Sequence, residues 1–318
     1  MDLGAYQKAA ATTSKLPLSG PAGPIAPMLG LAGETGSILN VYKRYLRDGI
    51  DLEVSHEFLK EELGDLLWYT AAVATACHLD LEEIAVANLV KAKDLYGDDS
   101  SDGRSESLPS FDDGYPATQR FPRRLIVRFD EMGGEERLRA ELTLVEAAPN
   151  AFPNGPERVG EKEFGFTVGA RLGATLTDNT RHPDAYRFHD AIHLGFVAVL
   201  GWSPTIRSLL RIKRKANQST DENEDGARAV YAEEGLAAIL SRLAPKRTGF
   251  MSEVSVDGDA IDVVKAAVAD LEVDRLPGWL WRKAISQGFS VLHHLEANHG
   301  GFVIADLDHR VLSYAKTI

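Results

Sequence analysis

Only one cysteine, Cys77, occurs in the chain, so no internal disulfide can form. A lone thiol fits a reducing cytosol. Its apolar neighbours from Tyr69 to Leu79 predict a small buried hydrophobe. Positive charge is also scarce. The 35 Lys and Arg against 47 Asp and Glu leave a formal charge of −12. General nucleic-acid binding rests on neutralising phosphates with cations, so this balance argues against it. The one basic run, Arg211-Ile212-Lys213-Arg214-Lys215, reads as a solvated helix end, with a phosphate or nucleic-acid patch as the alternative. Long apolar runs are missing as well. None reaches the roughly 18 residues a membrane helix needs. The N-terminus lacks the basic-then-apolar pattern of a signal peptide. The expectation is a cytoplasmic protein that makes no membrane contact.

The pattern that is present is mostly helical. The length of 318 residues favours two domains. Leu3, Tyr6 and Ala10 predict a first helix over 3–15. Pro17, Pro21, Pro24 and Pro27 delay the second, which runs from about Pro27 or Leu29 to Arg47. A third starts after Ser55 and runs to about Cys77. A fourth, capped by Asp80, continues to about Tyr96. Short connections between amphipathic helices predict an all-α bundle over 1–96. Residues 97–120, rich in Ser, Asp, Gly and Pro, read as a linker.

Beyond it, 121–318 reads as a larger, mostly helical domain with a small β element near 123–146. Arg124–Phe129 and Arg137–Val145 alternate around Gly133-Gly134, a hairpin signal. Phe166–Leu176 is a candidate helix. Helices follow at about 186–200, 204–215, 223–243, 259–271 and 277–298. Gly300-Gly301 ends the last, and Phe302–Ala305 is a candidate strand.

Two short acidic motifs stand out in the first hundred residues. One is Gly30-Leu31-Ala32-Gly33-Glu34-Thr35-Gly36-Ser37, the other Glu61-Glu62-Leu63-Gly64-Asp65-Leu66-Leu67-Trp68-Tyr69. Glu62 and Asp65 are three apart and project from one helix face. Leu63, Leu66, Leu67 and Trp68 read as bundle packing. Gly33 and Gly36, flanking Glu34, would let a helix or ligand approach the backbone. Buried carboxylates are expensive without a partner, and three of them fit Mg²⁺ with phosphate oxygens completing its shell. An isolated Glu-x-x-Asp pair is otherwise a solvated face.

Taken with Tyr6-Gln7 and Asn88-Leu89-Val90-Lys91, these motifs resemble the MazG-type all-α nucleoside triphosphate pyrophosphohydrolases over about residues 1–96. The resemblance implies hydrolysis of a (d)NTP to (d)NMP and pyrophosphate. It implies Mg²⁺, with Mn²⁺ as a substitute, held by Glu34, Glu62 and Asp65, with Glu61 a further candidate. Asn88 and Lys91 would face the nucleotide, with Lys43 a further candidate, and Lys91 reads otherwise as a solvated charge near a helix end. Self-association as a dimer or tetramer is also implied. Where the family carries a second carboxylate after Glu34, this chain has Ser37. The alternative to turnover is therefore a nucleotide-binding sensor with a weakened metal site.

A second cluster lies further on. His189 and His193 are i and i+4, with Asp190 between them, and a later helix carries Glu233-Glu234 after Glu224-Asp225-Gly226. A His, His, Glu set can hold Zn²⁺, Mn²⁺ or Fe and serve as a second hydrolytic centre. An interhelical hydrogen-bond network explains the same residues. His293, His294 and His299 read as charges near a helix end. Trp279 and Trp281 read as packing residues, with stacking on a base as the alternative.

Overall fold

Asp2 starts the first helix by accepting from Ala5 N at 2.6 Å, which satisfies one of the free amides of that turn. In the computed structural model the described residues are 1–15, 18–49, 56–97, 110–134, 138–159, 162–181 and 183–318. Pro17, Ser55, Arg137 and most of the expected linker lie outside them. The chain divides into two compact units, Met1–Lys93 and Asp94–Ile318.

The first unit is built from α1 (Leu3–Thr13), α2 (Ile25–Asp48), α3 (His56–Ala76) and α4 (Leu81–Tyr96), whose last turn crosses the unit boundary. Its dry centre is small: Ala10, Ala71 and Leu81, with Leu3, Tyr6 and Trp68 packed around them. Gln7 ties three elements together. Its amide donates to Leu79 O at 2.9 Å and to Thr75 Oγ1 at 3.2 Å, and its carbonyl accepts from Leu81 N at 2.8 Å. Asp80 caps α4 by accepting from Glu82 N and Glu83 N.

At Gly30, α2 packs directly against the Tyr69 ring of α3. A Cβ there would stand 2.1 Å from the Tyr69 ring, so only glycine fits. Around Gly33 and Gly36, by contrast, there is open space within 4 Å, so among the described residues neither serves a helix contact. Leu63 and Leu67 depart from the expectation too. They are 54% and 38% exposed, because the face of α3 that packs inward is its alanine face, Ala71, Ala72, Ala74 and Ala76. Cys77 is half-buried.

The second unit surrounds a five-stranded antiparallel sheet. The strands are β1 (Arg124–Met132), β2 (Arg139–Ala148), β5 (Arg171–Thr177), β6 (Gly300–Asp306) and β7 (Val311–Ala315), in the order β5-β2-β1-β6-β7. Strands β3 (Glu157–Val159) and β4 (Lys162–Phe164) form a separate two-stranded ribbon. The predicted hairpin is β1–β2, with Asp130 opposite Glu141 and a bulge at Ile126/Val127. The expected strand at Phe302–Ala305 lies within β6 and pairs with β1, Arg128 facing Phe302. The helix expected over Phe166–Leu176 is not formed. Gly169 and Gly173 there have φ of 89° and 65°, which a right-handed helix does not allow, and the segment pairs with β2 instead. Residues 110–120 carry buried Phe111 and Asp112, and Asp112 Oδ2 accepts from Phe121 N at 2.8 Å.

The helices are α5 (Asp190–Gly195), α6 (Pro204–Leu210), α7 (Gln218–Asn223), α8 (Ala227–Leu243), α9 (Gly258–Ala267) and α10 (Gly278–Asn298). A single-turn 3₁₀ segment, Tyr186–Phe188, leads into α5, and a π-turn, Phe196–Leu200, follows it. From Arg187 to Leu200 every residue is buried. A helix buried all round runs through the middle of a core. Its contact with α10 is made at paired glycines. A Cβ on Gly195 would stand 2.8 Å from Ala284 O, and one on Gly288 3.0 Å from Ile192 Cα. The chain is mainly α with an antiparallel sheet, as its sequence predicts. No described helix is long and apolar enough to cross a membrane.

The basic run departs from a solvated helix end. Helix α6 stops at Leu210, Ile212 is buried, and Arg214 is buried against Asp225 and Glu272 at 2.7 and 2.6 Å. Arg211 and Lys215 are the exposed members, and Arg211 pairs with Glu163. Trp281 packs edge-on to Phe196 and Trp202 in the core, and Trp279 packs against its margin. His293 Nε2 lies 3.1 Å from Gly249 O, His294 stacks on Tyr314, and His299 Nδ1 lies 2.6 Å from Glu131 Oε2. Each of these histidines therefore has a specific partner beyond the helix terminus.

Candidate functional site

In the first unit, Gly30 against Tyr69 and Glu34 beside Glu62 show that α2 and α3 run in opposite directions. The Glu62 carboxyl is pushed up by burial and by the carboxylates of Glu34, Asp65 and Glu61 around it. The predicted acidic residues are thus gathered on the α2–α3 face. Glu34 and Glu62 are half-buried; Glu61 and Asp65 are exposed. Ser37, half-buried, follows Glu34 by three residues, a little less than one helical turn. Asn88 and Lys91 are exposed on α4, three apart and so on one face, and Lys43 is exposed on α2.

The second unit holds a tighter cluster. Arg187 anchors the turn before α5, donating to Glu131 on β1 at 2.7 Å and to Asp178 at 3.0 Å. Tyr186 stacks on the His189 ring, centroids 4.3 Å apart and planes at 4°. His189 Nδ1 lies 2.8 Å from Tyr186 O. One turn on, His193 Nδ1 lies 2.8 Å from Glu233 Oε1 on α8. Glu233 also accepts from Ser203 Oγ at 2.6 Å and from Thr205 N at 2.8 Å. Its carboxylate is therefore fully used in holding His193 and the start of α6. Glu234 instead points its Oε2 to within 3.6 Å of both His189 Nε2 and His193 Nε2. Asp190 Oδ1 lies 3.7 Å from His189 Nε2.

The electrostatics follow from burial and proximity. Burial opposes charge on His193, yet Glu233 and Glu234 outweigh it and raise its proton affinity well above the usual imidazole range. Burial pushes the Asp190 carboxyl up against the pull of His189 and His193. For Glu234 burial is outweighed by the two histidines, which hold its carboxyl below the usual range. Burial and the carboxylates of Glu234 and Asp190 push the Tyr186 hydroxyl up to about 12. Neighbouring carboxylates are therefore the main charges felt by His193 and Tyr186.

Among the described residues, only His189, Asp190 and His193 bring three potential metal ligands within 4.8 Å of one another. The carboxylates of the first unit do not close to that spacing. Asp225, grouped with the Glu233-Glu234 helix in the sequence, is turned away to pair with Arg214. Tyr186, Ser203 and the Thr205 amide are members of the site that the sequence reading missed. The Ser203-Pro204 pair, a helix-start signal, was the one available clue.

The family model described as MazG C-terminal domain matches residues 156–318. The chain belongs to this MazG family. The matched span contains the whole His189–Glu234 cluster and does not reach Glu34, Glu62 or Asp65. The MazG chain is also similar to the Gene 37 protein of Mycobacterium phage L5, 35% identical over 97 residues that make up 29% of this chain and 85% of that protein. No solved structure matches it.

Proposed function

We propose that this MazG-family chain is a Mg²⁺-dependent nucleoside triphosphate pyrophosphohydrolase, converting a (d)NTP and water to a (d)NMP and pyrophosphate. The observation that carries the reading is the meeting of Glu34 and Glu62 across α2 and α3, with Asp65 and Glu61 beside them. MazG-family membership supports a hydrolase that uses a divalent cation.

The donor set fits a hard cation. All four side chains offer carboxylate oxygen, and their mutual repulsion is what a bound cation relieves. Glu34, Glu62 and Asp65 would hold Mg²⁺, with Glu61 at the margin. When bound, the ion supplies charge neutralisation for the phosphates and an acidified water. Open space beside Gly33 and Gly36 leaves the backbone next to Glu34 accessible to a phosphate chain. Asn88 and Lys91 on α4 are the candidates for orienting the nucleotide, with Lys43 as a further one. Ser37 in place of a carboxylate lowers the negative charge on α2, and this favours a weaker metal site than three or four carboxylates on two full motifs.

Self-association is part of the same proposal. Leu29, Leu39, Leu46, Leu63, Leu89 and Val90 are each more than half exposed in the single chain. So much apolar surface on a small bundle marks an interface, and a second copy of the bundle is the partner that the proposal names.

The deciding experiment is pyrophosphate release from a panel of NTPs and dNTPs with Mg²⁺ or Mn²⁺, comparing wild type with Glu62→Ala. Release that disappears in the variant is the expected result. Release that persists unchanged would remove the assignment. Nucleotide binding by calorimetry without any release would point to the sensor reading that Ser37 favours.

A further inference from the structure

The two imidazoles in the core of the second unit are oriented in the same way. A carbonyl oxygen can only accept, so His189 Nδ1 donates its proton to Tyr186 O. Glu233, already accepting from Ser203 and Thr205 N, takes the Nδ1 proton of His193. Both Nε2 atoms are thereby directed into one pocket, facing the Glu234 and Asp190 carboxylates. His193 Nε2 is fully buried and has no hydrogen-bond partner. A buried polar nitrogen left in that state is costly.

Distances distinguish two explanations. A network of imidazolium–carboxylate hydrogen bonds would close to about 2.7–3.2 Å. The separations between facing ligand atoms are 3.6, 3.6 and 3.7 Å, too long for such bonds. Bonds of about 2.0–2.2 Å to a central ion put neighbouring tetrahedral ligands about 3.3–3.6 Å apart. The Nε2–carboxylate separations are therefore close to ligand spacing, while the Nδ1 contacts are at hydrogen-bond length.

From these observations we infer that the second unit holds one divalent transition-metal ion between His189 Nε2, His193 Nε2, Asp190 and Glu234, with Glu233 and the Tyr186 carbonyl as the groups that orient the histidines. Imidazole together with carboxylate selects Zn²⁺, Mn²⁺ or Fe²⁺ over Mg²⁺, which prefers oxygen and retained water. The orienting groups reproduce the carboxylate–histidine–metal arrangement in which the second nitrogen is held by an acceptor. The scaffold is rigid, since α5 is buried on all sides and clamped to α10 at Gly195 and Gly288. Glu234, 39% exposed in its side chain, forms the one open edge of the ligand set. A water or substrate atom could reach the ion from that side. This inference is independent of the pyrophosphohydrolase reading, because it uses no residue of the first unit.

The test uses the full chain carrying Glu34→Ala and Glu62→Ala, so that the first unit's carboxylates cannot supply the site. The apo protein is titrated with Co²⁺ as a spectroscopic probe. The expected result is about one Co²⁺ per chain with a visible ligand-field band, displaced by Zn²⁺ and not by Mg²⁺. Glu234→Gln, at the exposed edge where folding is least at risk, shifts the band and weakens binding by tenfold or more. Glu233→Gln keeps the band and weakens affinity about 10- to 100-fold. His193→Ala, if its circular dichroism is native, abolishes the band. No band and no retained metal in the Glu34→Ala/Glu62→Ala chain would overturn the inference. A Glu234→Gln variant that titrates like its parent would overturn the ligand set. Pyrophosphate release by the wild type is read separately, so failure of either proposal is seen without the other.

Discussion

Glu233 Oε1 lies 2.8 Å from His193 Nδ1, and both side chains are wholly removed from solvent. The adjacent Glu234 reaches the other nitrogen of the same ring at 3.6 Å. Two consecutive glutamates on α8 thus contact opposite ends of one imidazole and do different work.

Glu233→Ala removes the acceptor for His193, Ser203 and the Thr205 amide together. Breaking a buried charged pair by deleting one partner typically costs about 3–5 kcal/mol. The expected outcome is a destabilisation of that order by denaturant titration, with a smaller loss for Glu233→Gln, which keeps one acceptor. A loss below the scatter expected for a surface substitution would contradict the anchoring role of Glu233.

Glu62→Gln separates function from stability in the first unit. The substitution removes one of four clustered negative charges. Pyrophosphate release is expected to fall at least a hundredfold, as when a metal ligand is lost. Without divalent cations the variant should melt no lower than wild type, because like-charge repulsion is eased. A lower melting temperature in EDTA would show that Glu62 has a structural role.

Two glycines within four residues of Glu34 should respond oppositely to alanine. Gly30→Ala drives a methyl into the Tyr69 ring. Overpacking of this kind costs about 1–3 kcal/mol. Gly33→Ala meets open space and should stabilise α2 by about 0.5–1 kcal/mol. Thermal melting of the two variants checks the sign of each. If Gly33→Ala also lowers pyrophosphate release while raising stability, substrate passes close to that backbone.

Asp257 provides an acid-sensitive cap. Burial opposes its ionisation, but the bonds from Arg247 and Ala260 N outweigh this and hold its carboxyl below the usual range. A depressed carboxyl contributes stability that is fully present above its unfolded value near 3.8 and is lost as pH falls through the folded value. Asp257→Asn keeps a capping oxygen and removes only the charge. The side chain is 45% exposed, so the loss at neutral pH should be only about 0.5 kcal/mol. The difference between the two proteins should hold above about pH 5 and vanish in stronger acid. A gap that widens in acid would contradict this assignment.

Much of the helical organisation was readable because it is local. Asp80 before Leu81, with Glu82 and Glu83 following, is a helix start that the structure forms as written. The β1–β2 hairpin was readable from alternation around Gly133-Gly134. Strand β5 was not, because Gly169 precedes it and Gly173 interrupts its apolar residues, and its pairing partner lies some thirty residues away. Arg214 within a basic run gave no sign of burial, since its partners Asp225 and Glu272 come from separate segments. The i, i+4 histidines were visible; their orientation was not.

The sequence by itself determined which residues share a face: Glu62 with Asp65, Asn88 with Lys91, and His189 with His193. Helical spacing is a property of neighbours along the chain and needs no tertiary contact. Only the tertiary structure decided what those faces meet. Glu34 reaches Glu62 because Gly30 lets α2 settle on Tyr69. Glu233 became an anchor and Glu234 a pocket-facing carboxylate because consecutive helical residues point about 100° apart. The packing of α8 beside α5 sets which of the two points inward. That packing depends on contacts between segments about 40 residues apart, which no local pattern encodes.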